Sequence, residues 1–68
     1  MRVKVRVVGR DHEVIELSGN EVKVSDLLRK LGLLSEEYIV MRGGKVLTEE
    51  DEVVDGDEVV LVPVVSGG

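Results

Sequence analysis

From Met1 to Val7, in the stretch that runs on to Val8, apolar and charged residues alternate without a break. Met1, Val3, Val5 and Val7 fall on one side; Arg2, Lys4 and Arg6 fall on the other. A period of two belongs to a β-strand with one buried and one wet face. A helix with its 3.6-residue turn cannot sort these residues in that way. The chain therefore opens in a sheet, and that sheet needs a cover on its valine side. With 68 residues there is room for one small domain and little else. Cysteine, Phe and Trp are absent, and Tyr38 is the one aromatic. The core must come from valine, leucine and isoleucine, each contributing roughly 1.5–3 kcal/mol when fully buried. Neither disulfides nor thiolate metal sites can assist it.

The formal net charge is -5. A nucleic-acid binder needs a basic face to exchange for counterions, and a single-strand binder also needs aromatic platforms. This chain offers neither. Its charged N-terminal alternation is unlike a signal peptide, and no apolar run approaches the length of a membrane span. The expected setting is the cytoplasm, with no nucleic acid and no membrane among its partners.

Gly9-Arg10-Asp11-His12 carries turn chemistry, and Glu13 to Leu17 reads as the strand that returns to close a hairpin. Ser18-Gly19-Asn20 ends it. Ser25 is the expected N-cap of a short helix, with Asp26 in its first turn. Val24, Leu27, Leu28 and Leu31 form its apolar stripe, and Asp26 is spaced to pair with Lys30. Gly32 followed by Leu33 predicts a Schellman-type stop. Tyr38 to Arg42 is a third strand, turned by Gly43-Gly44 into a short fourth, Lys45 to Leu47. Thr48 to Glu52 is expected to be an acidic loop. Asp55-Gly56-Asp57 then feeds a last strand, Glu58 to Val64. The expected fold class is α+β, in the order ββαβββ, with a mixed sheet and one helix across one face. That is the β-grasp (ubiquitin-like) arrangement. The expected division is a body over residues 1–64 and a flexible tail over 65–68.

The sequence closes on Ser66-Gly67-Gly68, straight after a strongly apolar segment. Glycine loses the most backbone entropy on ordering and has no side chain to pack, so a diglycine end does little for stability. It does present a bare carboxylate on a thin tether that a partner's cleft can close around. The alternative is a frayed terminus or a residue of cloning.

The stretch from Asp55 to Gly68 resembles the C-terminus of ThiS/MoaD-type sulfur carriers. That family joins an Asp-Gly-Asp turn, an apolar strand, a proline and a Gly-Gly end, here Asp55-Gly56-Asp57, Val59 to Val62, Pro63 and Gly67-Gly68. Ile39 to Leu47 is similar to the family's middle hairpin. The chain's length is closer to the thiamine-pathway carriers, whereas its tail is closer to the molybdopterin type. Archaeal ubiquitin-like modifiers share the pattern.

The resemblance implies a carrier or co-substrate protein and no autonomous enzyme. Gly68 would be adenylated by an E1-like partner, which would bind the ATP, and then converted to a thiocarboxylate. A sulfur-accepting enzyme or a synthase large subunit would take the sulfur for thiamine, molybdopterin or tRNA thiolation. Ser66, Gly67 and Gly68 would be the residues recognised in the tail. The alternatives are a modifier conjugated to lysines through Gly68 and a β-grasp binding module with an inert terminus. No catalytic residue, metal site or cofactor is expected on this chain.

Partner choice needs a surface. On the last strand Val59 and Leu61 alternate with Val60, Val62 and Val64, and one helix covers only one face. By the family pattern Val59 and Leu61 go to the core. Val60, Val62, Val64 and Val40 are expected to form an exposed apolar patch of the kind that marks interaction sites. The Arg2, Lys4, Arg6 stripe is expected on that same face. The alternative is a sheet covered on both sides by chain or by a second copy.

Other features read as structural. The acids Glu49 to Glu52 with Asp55, Asp57 and Glu58 lack EF-hand spacing and read as a solvated rim. Gly43-Gly44-Lys45 lacks the remaining parts of a phosphate loop and reads as a hairpin turn. His12 has no matched nucleophile or second ligand in the sequence.

Overall fold

The computed structural model describes residues 1–64; Val65, Ser66, Gly67 and Gly68, and with them the expected tail, lie outside the described residues. Strand β1 (Arg2–Val7) pairs antiparallel with β2 (Glu13–Glu16), closing the expected hairpin. The chain then passes through β3 (Glu21–Lys23) and the helix α1 (Val24–Leu31). A single 3-10 turn, Ser35–Glu37, leads into β4 (Tyr38–Arg42) and β5 (Lys45–Leu47). Next come β6 (Glu52–Val54) and β7 (Glu58–Pro63). The main sheet runs β2-β1-β7-β4-β5, and β3 and β6 form a second sheet of two strands.

The first and last strands lie side by side and parallel, Val5 against Val59 and Val7 against Leu61. A parallel neighbour cannot be reached by a tight hairpin, so the intervening chain must cross over the sheet. The helix makes that crossing. This is the β-grasp topology, as the alternation and element order predict.

Packing follows the two periodicities. Val3 and Val5 of β1, Val59 and Leu61 of β7, and Val40 of β4 are buried from the sheet side. Val24, Leu27 and Leu28 are buried from the helix side, with Val53 of β6 closing one end. Leu31 packs on the rim of the same cluster. Gly32 has φ +73, a conformation open to glycine at little cost, and Leu33 N–H donates to Leu28 O at 2.9 Å while Gly32 N–H donates to Arg29 O at 3.0 Å. Those bonds are the Schellman stop that Gly32 predicts.

The start of the helix differs from expectation. Val24 is its first residue, Lys23 precedes it, and no side chain caps it. Instead Val24 N–H donates to Asp51 O at 2.9 Å and Ser25 N–H to Glu49 O at 3.2 Å. Helix-start N–H groups need acceptors, and here the backbone of a distant loop supplies them where Ser25 was expected to. Pairing of β3 with β6, Lys23 against Glu52, brings that loop to the helix. Asp26 and Lys30 form no ion pair among the described residues.

No helix among the described residues is long and apolar enough to cross a membrane.

Candidate functional site: the open sheet face and the root of the tail

Strand β7 sits in the middle of the sheet, between β1 and β4, and delivers the chain to its end. Pro63 stands opposite Tyr38, and Val64 N–H donates to Glu37 O at 2.8 Å. The backbone is thus fixed to the body as far as Val64. The residues named for tail recognition and modification, Ser66, Gly67 and Gly68, lie outside the described residues. Val65 to Gly68 can span at most about 14 Å, at 3.3–3.6 Å per residue.

Residues directly opposite one another share a face of the sheet. Along β7, Val59 and Leu61 are fully buried under the helix, so Val60 and Val62 point away from it, and both are half-buried. Val64 is exposed. These positions agree with the sequence reading. Val40 does not: it is 3% exposed, sits opposite Leu61, and belongs to the core. The open-face positions of β4 are Ile39, opposite Val62, and Met41, opposite Val60. The physical reason is parity. A one-residue error in phasing a strand exchanges its faces, and the five residues of β4 are nearly all apolar, so their order carries little phase information.

Register then assembles a surface. Arg6 of β1, Val60 of β7, Met41 of β4 and Val46 of β5 stand in one row across four strands. Val62 and Ile39 stand beside them nearer the tail. Val46 is 64% exposed and Ile39 41%, so this apolar sector is open to a partner. Sequence reasoning missed Ile39, Met41 and Val46. The Gly43-Gly44 turn could have located Val46 relative to Met41. Both glycines have positive φ, as a two-residue hairpin of the I′ kind requires.

Toward β2 this face carries ion pairs and one exposed apolar side chain, Val14, opposite Lys4. Arg2 lies 3.9 Å from Glu16 and Lys4 lies 3.9 Å from Glu58. Both pairs are exposed and contribute little to stability. Arg6 makes no ion pair among the described residues.

The acids have structural partners. Asp55 Oδ1 accepts from Arg2 N–H at 2.6 Å, and Gly56 N–H donates back to Arg2 O at 2.8 Å. Asp57 Oδ2 accepts from Val54 N–H and from Arg42 Nη1, both at 2.9 Å, while Arg42 also donates to Glu52 O. The Asp-Gly-Asp turn is therefore a clasp that starts β7 in register with β1. Asp51 Oδ2 accepts from Thr48 N–H at 2.7 Å, and Glu50 pairs with Lys23 at 3.2 Å. Among the described residues no three His, Cys, Asp or Glu side chains converge as a metal site would need. Glu21 has its carboxyl held above the usual range, first by a hydrogen bond with Glu52, then by that residue's charge. His12 is exposed in the turn after β1. Hollows on the surface measure about 190–220 Å³, below the roughly 300–1,000 Å³ common for small-molecule sites.

The central strand β7 ends at Pro63, beside an open apolar face. The ThiS family profile matches residues 5–68. This chain belongs to the ThiS family. The sulfur carrier protein TtuB of Thermus thermophilus is 37% identical over 68 residues, covering the whole of both chains. An uncharacterised protein of Archaeoglobus fulgidus is 34% identical, again over the whole of both. Among solved structures, SAMP1 from Haloferax volcanii superposes with a TM-score of 0.73 at 22% identity, covering all of each chain. A ubiquitin-like protein from Caldiarchaeum subterraneum gives 0.63 at 20% identity, covering 98% of this chain and all of that one. These two likenesses show the shared β-grasp fold.

Proposed function

We propose that this ThiS-family chain is a sulfur carrier whose reactive group is the Gly68 carboxylate. The observation that supports it most is the full-length 37% identity with a sulfur carrier protein. In this reading the body is a co-substrate. It positions the acyl end and recognises partners, while a separate E1-like enzyme binds ATP and performs the activation.

The chemistry follows from the carboxylate. At neutral pH the terminus is ionised, with a reference pKa of roughly 3.3–3.7, and a carboxylate is a poor electrophile. Its oxygen attacks the α-phosphorus of ATP, pyrophosphate leaves, and an acyl-adenylate forms on Gly68. Sulfide then adds to the acyl carbon and expels AMP, leaving a thiocarboxylate. A persulfide can add in its place, and a thiol must then reduce the resulting acyl disulfide to release the same product. The sulfur passes to an accepting enzyme or synthase large subunit.

The tail supplies reach. Val65 to Gly68 extend up to about 14 Å beyond the anchored Val64, far enough for the acyl end to enter a partner's cleft with the body outside. The face carrying Val60, Val62 and Val64, joined by Ile39, Met41 and Val46, is the docking surface in this scheme.

The test is an intact mass after incubation with the host's E1-like enzymes, ATP and sulfide. Exchange of one oxygen for sulfur at Gly68 is the expected result. Adducts joined through Gly68 to lysines would assign the chain to protein modification instead. An unchanged mass with each such enzyme would leave a binding module and end the carrier proposal.

A further inference from the structure

The open sheet face has two halves with different electrostatics. Arg2 and Lys4 each have a carboxylate at 3.9 Å, so the half toward β2 is neutralised within the chain. Arg6 stands directly beside Val60, at the edge of the apolar row that continues through Met41 to Val46. It is exposed and makes no ion pair or side-chain hydrogen bond among the described residues. Strand β1 runs parallel to β7, so Arg6 lies toward the end from which the tail departs.

A partner that covers Val60 must also strip water from Arg6. An uncompensated guanidinium at a desolvated site is costly, so a fitting partner has to bring an acceptor. A carboxylate matches the planar fork of the guanidinium and can take two of its hydrogen bonds. We infer that Arg6 selects the activating partner: the adenylating enzyme meets the Val60–Met41–Val46 row with an apolar surface that carries an acidic side chain opposite Arg6. This inference rests on the sulfur-carrier reading. It adds a specificity element to a surface whose other contacts are apolar. The chain's net charge of -5 sharpens the point. An acidic enzyme surface would be repelled by the molecule's overall charge, and in this row of the open face Arg6 is the cation left without a carboxylate among the described residues, so it sets the register of docking there.

The experiment measures adenylation-dependent thiocarboxylate formation as a function of carrier concentration. The carriers are the wild type, Arg6→Lys, Arg6→Ala and Arg6→Glu, each full length, with the host's E1-like enzyme, ATP and sulfide. Arg6→Glu is expected to raise KM at least about tenfold with kcat unchanged, because it sets like charges together at the encounter. Arg6→Ala should fall between, and Arg6→Lys should recover most of the loss. Added salt should raise the wild-type KM more than that of Arg6→Ala. All variants should melt with the wild type, since the side chain is exposed and unpaired. If wild type is converted and Arg6→Glu matches its KM, the inference is overturned and the carrier reading stands. If wild type itself is never converted, both fall together. A change confined to kcat, or a concentration-dependent dimer that Arg6→Glu disrupts, would also overturn it.

Discussion

At the scale of single residues, charge placement divides into clasps and free groups. Asp57 is a clasp. Its Oδ2 holds Val54 N–H and Arg42 Nη1, and its side chain is 21% exposed. Asp57→Ala removes both bonds, leaving Val54 N–H without this acceptor and Arg42 with its bond to Glu52 O. The expected loss is about 1–3 kcal/mol in chemical denaturation at neutral pH. Glu21 is the opposite case. Glu52 raises its pKa in the folded chain, so the folded state binds its proton more tightly than the unfolded state does. Stability from this group is full below the unfolded value and is lost as pH rises through the raised folded one. Glu21→Gln should therefore melt higher than wild type at neutral pH. The gap should close as pH falls below 4.5, the group's ordinary value. A gap independent of pH would show that Glu52 is not its cause.

At the scale of elements, β4 and β7 decide which valines are structural and which are presented. Val40 and Val60 have the same side chain and lie on neighbouring strands, yet Val40 is buried against Leu61 while Val60 is half-open beside Met41. Val40→Asp places a carboxylate in a core without a polar partner, where burial of an unpaired charge costs several kcal/mol, and should prevent folding. Val60→Asp should cost about 1 kcal/mol or less, the span of strand propensities, while weakening association with the adenylating enzyme. Circular dichroism melts and a binding titration check the pair together. A larger loss from Val60→Asp than from Val40→Asp would mean that the sheet faces are exchanged. The short β3–β6 ladder has its own task. It carries the loop whose carbonyls cap the helix, which is why a helix of eight residues can begin without a capping side chain.

At the scale of the molecule, in the carrier proposal stability belongs to the body and reactivity to Gly68. The last described backbone bond joins Val64 to Glu37, and among the described residues the buried core runs from Val3 to Leu61. One residue added after Gly68 should leave the melting temperature unchanged and stop thiocarboxylate formation. The mass assay and a thermal melt on the same sample decide it. Formation at the native rate on the extended terminus would contradict the role given to Gly68.

The order of the main elements was legible because their periods are strong. Met1 to Val7 alternates perfectly, Val24 to Leu31 carries a helical stripe, and Gly32 and Gly43-Gly44 mark a stop and a turn that few other residues permit. The family resemblance was legible in the run from Asp55 to Gly68. Three-residue strands were not, because β3 and β6 are too short to show a period and exist through each other. Nor was the phase of β4. Local sequence specifies that a segment is extended, but which of its faces is buried depends on the strand it meets. Register against β7 put Val40 inside, brought Ile39, Met41 and Val46 to the surface, and left Arg6 beside them as a charge without a partner among the described residues. Sequence alone determined that this chain folds as a covered sheet and ends in two glycines. Only the tertiary pairing decided which residues it shows, because a face belongs to neighbouring strands together and to none of them singly.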